Sequence, residues 1–155
     1  MKSRRLGMNI KRILYEKVIV LTVMYGSELW GMKANERQKL NVFEMKCLRS
    51  MTGVSLLDRV RNEVVRARTG VRRELAARVD MNVLRWFGHV ERMDNGRLLK
   101  KVMNARVDGR NARGRPRIGW MEGVKRALND RGMDVREASE RARNRNEWRV
   151  IVTRF

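Results

Sequence analysis

The chain has 155 residues, enough for one compact domain or two very small ones. It carries 37 Lys and Arg against 17 Asp and Glu, a formal net charge of +20, and 28 of these cations are Arg. This surplus favours RNA or DNA, bound mainly through phosphates, because Arg holds phosphate with a planar fork of donors and stacks on bases. It disfavours an anionic membrane as partner, since the cations are spread along the whole chain. The alternative is that the Arg side chains only form an ordinary solvent-exposed surface and bind no ligand.

Cys47 and His89 are the only residues of their kinds. One Cys forms no intrachain disulfide, which fits an intracellular location. One Cys and one His cannot complete a zinc site, and we expect no cofactor. Cys47 lies on an apolar stripe, so we interpret it as a small buried hydrophobe.

The first predicted helix has apolar residues at helical spacing. They are Ile10, Ile13, Leu14, Val18, Leu21 and Met24. The apolar residues surround this helix toward its end, so we expect it to be buried. It is far too short to span a membrane and lacks the cleavage site of a secretion signal.

Two further helices precede the middle of the chain. Asn35 is a candidate cap for a helix that Gly53 closes, and a short helix runs from Asn62 to Gly70.

A longer helix follows, with an apolar face and an opposite basic face. The apolar face comprises Leu75, Val79, Val83, Trp86, Phe87 and Val90. The other face carries Arg78, Asn82, Arg85, His89 and Arg92, which we call the basic ridge. The ridge is a candidate phosphate contact, with an ordinary solvated face as the alternative. We interpret His89 there as a neutral hydrogen-bonding group.

After a turn at 94–96 and a short helix, the composition changes to a basic linker rich in Arg and Gly. Its candidate nucleic-acid contacts are Arg110, Arg113, Arg115 and Arg117. The sequence Arg-Gly-Arg-Pro at 113–116 looks like the core of an AT-hook, which binds the A·T-rich minor groove. General phosphate contact is the interpretation that we favour.

The last part of the chain predicts a helical hairpin. Its first helix contains Trp120 and stops at Gly132, and a capping box from Asp134 to Glu137 opens the last helix. We expect Trp120 and Trp148 to pack between these two helices. The predicted fold is therefore mostly α, with a helical region at 1–104, a basic flexible linker at 105–118 and a helical hairpin at 119–155.

Catalytic patterns are weak in this sequence. The six Asp residues are scattered, whereas two-metal phosphoryl transfer needs clustered carboxylates. We find neither a Gly-rich phosphate loop nor a convincing Ser/His/Asp or Cys/His set, and we predict that this chain is not an enzyme.

Six short blocks nevertheless match one family in order. They are YGSELW at 25–30, FEMKCLR at 43–49, DRVRN at 58–62, LRWFGHVERM at 84–93, GRPRIGW at 114–120 and ARNRNEW at 142–148. Together, from about Ile10 to about Val152, they resemble the C-terminal region, after the polymerase palm, of non-LTR (LINE-type) retrotransposon endonuclease–reverse transcriptases.

The resemblance implies a role without the family's catalysis. Residues 1–104 would form a thumb-like helical bundle that holds a template–primer duplex. The later helices and the linker would help to grip element RNA or target DNA during target-primed reverse transcription. The adjacent Asp residues of the parent RNA-directed DNA polymerase and the family's endonuclease have no counterpart here. We expect a nucleic-acid-binding fragment in the nucleus or in a ribonucleoprotein particle. The alternatives are a poorly folding remnant and an independent AT-hook-like DNA-binding protein.

Overall fold

The computed structural model describes residues 6–105 and 119–154. All regular structure in these ranges is helical, which confirms the predicted mostly α fold. None of the helices described there is both long and apolar enough for a membrane span. Arg110, Arg113, Arg115 and Arg117 lie outside the described residues. The helices are α1 (8–23), α2 (Ala34–Thr52), α3 (Asn62–Thr69), α4 (Leu75–Glu91), α5 (Leu98–Asn104), α6 (Trp120–Asn129), α7 (Val135–Ala142) and α8 (Arg145–Thr153).

The chain divides into two compact units. Among the described residues, unit 1 comprises 6–27 and 33–79, and unit 2 comprises 28–32, 80–105 and 119–154. The C-terminal helices belong to the same unit as residues 80–105. The predicted division at the linker and the flexibility of the linker stay predictions.

Local sequence signals set several helix ends. Gly53 and Gly70 end α2 and α3 with φ values of 72° and 69°, a left-handed conformation that glycine adopts without strain. The predicted cap at Asn35 is wrong. The backbone N–H of Lys33 donates to the Glu36 carboxylate at 2.8 Å, so α2 begins at Ala34.

The core of unit 1 is organised around one buried carboxylate. Glu44 of α2 is fully buried, and its carboxylate accepts hydrogen bonds from Tyr15 Oη at 3.0 Å and Arg66 Nη2 at 2.6 Å. It also accepts the backbone N–H of Leu75 at 3.2 Å. These bonds join α1, α2, α3 and the first residue of α4, and they compensate the cost of burying the charge.

The expectation that α1 is buried is wrong. Ile13, Val18 and Leu21 are 57%, 55% and 62% exposed, whereas Val20 and Met24 face the core. The exposed side of α1 is the side that no other part of the described chain covers, and a π-helical turn at Tyr15–Val20 shifts the register of the residues that follow it.

Two further polar side chains, Lys11 and Cys47, lie at the edge of the core of unit 1. Lys11 of α1 is buried along its stem, while its Nζ donates to the Met51 carbonyl at 3.0 Å. Burial, and then the Glu44 charge, raise the pKa of the half-buried Cys47 thiol. The thiol is therefore held protonated, but its partial exposure corrects the prediction of a fully buried residue.

The C-terminal part of unit 2 contains three helices rather than a hairpin. Asp134 Oδ1 accepts the backbone N–H of Glu137 at 2.7 Å, so the predicted cap is confirmed. The helix that it opens stops at Ala142, however, because Asn144 starts another. Asn144 Oδ1 accepts the N–H groups of residues 146 and 147 at 3.1 and 3.3 Å and thereby caps α8.

The predicted packing of Trp120 and Trp148 between the C-terminal helices is wrong. Trp120 Nε1 donates to the Glu28 carbonyl at 2.7 Å, and Arg126 Nη1 donates to the Met32 carbonyl at 2.9 Å. These bonds hold the short segment 28–32 against α6.

Removing the charge of Glu44 should destabilise unit 1. Glu44→Gln leaves the Arg66 guanidinium, only 17% exposed, without its closest carboxylate. We expect a loss of about 3 kcal/mol in unfolding free energy, the low end for a broken buried pair, since Glu74 lies 3.6 Å from Arg66 and can compensate in part. Urea denaturation measures this. The exposed Glu63→Gln is the control, and an equal effect of both changes would contradict the prediction.

Stability should also fall at alkaline pH. Burial and the neighbouring Glu44 carboxylate raise the pKa of Tyr15 well above its ordinary value of 10.0. The folded state therefore keeps this proton, while the unfolded state releases it near pH 10, so the stabilisation is complete below that pH and is lost as the pH rises. Denaturation at a series of pH values should show a steeper decline for the wild type than for Tyr15→Phe. Parallel curves of stability against pH for the two proteins would refute this prediction.

Candidate nucleic-acid interface

The predicted ridge residues have different surroundings. Arg78 lies in unit 1, where its Nη1 and Nη2 donate to the two carboxylate oxygens of Glu16 at 2.8 and 2.7 Å. This bidentate pair joins α4 to α1, so Arg78 has a structural partner that sequence spacing did not reveal. Arg85, His89 and Arg92 lie in unit 2 and are exposed on α4. They form the part of the ridge that is available to a ligand.

Arg92 contacts the end of α7. Its Nη1 donates to the Ala142 carbonyl at 2.6 Å. Partial burial, and then the positive charge of Arg145, lower the pKa of Arg92. The positive charge of Arg145 in the first turn of α8 therefore acts on the Arg92 guanidinium. We call Arg85, His89, Arg92 and Arg145 the cationic cluster.

Arg145 was not predicted as a site residue. The sequence places it three residues before Trp148, and hence on the same face of α8. That spacing alone could not identify it, because the helix against which Trp148 packs was unknown.

The docking of Trp148 on α4 brings these side chains together. Its Nε1 donates to the Leu84 carbonyl at 2.9 Å, and its ring centroid lies 5.8 Å from that of Phe87. Gly88 provides the space: a Cβ atom added there would lie 2.1 Å from Trp148 Nε1. Because the buried indole occupies this position, the first turn of α8 lies beside the end of α4.

Trp86 differs from its prediction as an inward-facing residue. It is half-buried, and its ring centroid lies 5.2 Å from that of the exposed His89, with an interplanar angle of 38°. Two aromatic rings therefore accompany the cations of this surface.

Glu91, the acidic residue next to Arg92 in the sequence, is bonded to residues outside the cationic cluster. Glu91 forms an ion pair with Lys100 and accepts a hydrogen bond from Ser139 Oγ at 3.3 Å. Over residues 6–105 and 119–154, the side chains form no group of His, Cys, Asp and Glu that could hold a metal ion. The chemistry available at the cationic cluster is anion binding.

Unit 1 offers a second polar surface, a groove of about 1410 Å³ beside α2 and α3. Three of the four cations that line it bond to the protein itself. Lys11 donates to the Met51 carbonyl, Arg49 donates to the carbonyls of Ser55 and Val60, and Arg66 bonds to Glu44. The groove is therefore the weaker candidate for phosphate.

Comparison with known proteins gives one informative similarity. Over 149 residues the chain is 24% identical to an uncharacterized transposon-derived protein of Caenorhabditis elegans. The match covers 91% of this chain and 53% of that protein, so the chain spans about half the length of its relative. No family model matches the chain, and no solved structure matches it. The similarity supports a transposon-related origin.

Gly88→Ala should disrupt the cationic cluster. The added methyl group cannot occupy the position of the Trp148 ring, so α8 must shift away from α4. We expect a less stable protein and a longer-wavelength Trp emission, because the buried Trp148 gains contact with water. Gly119→Ala is the control, since a Cβ atom there meets nothing within 4 Å. An unchanged emission spectrum in Gly88→Ala would contradict the described docking.

Proposed function

We propose that this chain binds RNA or DNA through phosphates, as a fragment derived from the C-terminal region of a non-LTR retrotransposon reverse transcriptase. The observation that carries the proposal is the exposed face of α4, on which Arg85, His89 and Arg92 lie at helical spacing, with the first turn of α8 packed beside its end through Trp148. Cations that share one folded surface repel each other. A phosphate beside these guanidinium groups relieves the repulsion and accepts charge-assisted hydrogen bonds from them.

The distribution of acidic residues supports the same proposal. Several carboxylates of low exposure are engaged in ion pairs within their own unit: Glu16 with Arg78, Glu44 with Arg66, Asp80 with Arg126 and Glu91 with Lys100. These pairs stabilise the fold and leave a large surplus of Arg on the surface. With a net charge of +20, that surplus attracts polyanions over long range.

The family resemblance supports the origin within reverse transcriptases. Two of its blocks, at 84–93 and 142–148, meet where Trp148 packs on Gly88. The same two blocks supply all four residues of the cationic cluster. The transposon-derived relative is consistent with this origin. The role that follows is to grip element RNA or target DNA during reverse transcription, in the nucleus or in a ribonucleoprotein particle.

Binding should weaken steeply with salt. Each phosphate contact releases counterions, so between about 50 and 200 mM salt we expect a large fall in affinity for RNA and DNA, linear on a log–log plot. Fluorescence anisotropy with labelled oligonucleotides measures it. Arg145→Ala should lower the affinity and reduce the slope by about 1, as expected for one lost phosphate contact.

The matched control is Arg136→Ala, which removes the same charge from a side chain on α7 that is 91% exposed. An equal effect of the two variants would show that net charge alone matters and would refute the assignment of the cluster. Affinity that does not change with salt would refute phosphate binding altogether.

A further inference from the structure

An aromatic pair lies within the cationic cluster. Trp86 and His89 are one helical turn apart on α4, with ring centroids 5.2 Å apart. His89 is exposed and Trp86 is half-buried, whereas the other aromatic pair of unit 2, Phe87 and Trp148, is buried. The first pair is therefore at the surface, and the hydrophobic core does not account for its position.

Cations flank this pair along the helix. Arg85 lies four residues before His89 and Arg92 lies three residues after it, so all three share one face of α4. Arg145 lies in the first turn of α8, which packs beside the end of α4 through Trp148. A ligand that lies along this face meets a guanidinium group, an aromatic ring and then further guanidinium groups.

We propose that the aromatic pair stacks on an unpaired base, so that the ligand of this surface is single-stranded nucleic acid. The inference rests on the proposed function and specifies the form of the ligand. In a duplex, neighbouring bases cover each base face, whereas a single strand can turn a base toward His89 and Trp86. The flanking phosphates of the strand then lie beside Arg85 and Arg92.

Single-stranded binding of this kind carries little sequence preference. Every base has a face that can stack on an aromatic ring, and phosphates are common to all sequences. Stacking on an aromatic side chain requires an unpaired base, whereas phosphate contact does not. Single-stranded and duplex ligands can therefore distinguish the two contributions to affinity.

The test compares a single strand with the duplex of the same sequence, in both RNA and DNA. For His89→Ala we expect an affinity for the single strand that is about tenfold lower, within the usual range for one lost stacking contact, and an affinity for the duplex that is nearly unchanged. His89→Phe keeps an aromatic ring and should retain the affinity for the single strand. Arg85→Ala should lower the affinity for both ligands alike, because both contain phosphate.

The outcomes distinguish the two proposals. If His89→Ala lowers the affinity for the single strand and the duplex equally, or lowers neither affinity, the stacking inference is refuted while phosphate binding stands. If His89→Phe binds the single strand as weakly as His89→Ala, stacking is likewise refuted. If the wild-type protein binds neither ligand, the proposed function itself fails. Circular dichroism melting curves check that each variant remains folded, which we expect because His89 is exposed.

Discussion

Carboxylates are scarce in this protein, and the fold depends on how they are placed. There are 17 acidic residues for 37 Lys and Arg, so with one partner for each acid 20 cations have no acidic partner. The buried Glu44 joins three helices to the start of a fourth, and the pair of Glu16 with Arg78 joins α1 to α4. Because the acidic residues of low exposure form ion pairs between helices, they neutralise little of the surface charge, and the surface remains strongly positive. The stability of the fold and its affinity for polyanions thus have a common origin.

The candidate interface depends on a steric fit instead. Gly88 leaves room for the Trp148 ring, and the Leu84 carbonyl accepts its N–H. This contact brings Arg145 to Arg92 although 53 positions separate them in the sequence. A site made of exposed side chains is in this way positioned by a buried, closely packed contact beneath it.

Local signals in the sequence predicted much of the fold. Gly53, Gly70 and Asp134 mark helix ends because their conformational and capping preferences act within a few residues. The spacing of Arg85, His89 and Arg92 correctly placed them on one exposed face. The failures concern partners distant in the chain. Neither the pairing of Arg78 with Glu16 nor the packing of Trp148 leaves a trace in local spacing, and the exposure of α1 depends on what the rest of the chain covers.

The π-helical turn of α1 has a consequence for the length of this segment. A π-turn holds one residue more than an α-turn, so deleting one residue within 15–20 would close the wide turn and leave the later part of the helix facing the same way. Adding one residue has no such outlet, and it would rotate the end of the helix by about 100° and take Met24 out of the core. This stretch should therefore tolerate a deletion better than an insertion, an asymmetry that substitutions alone would not reveal.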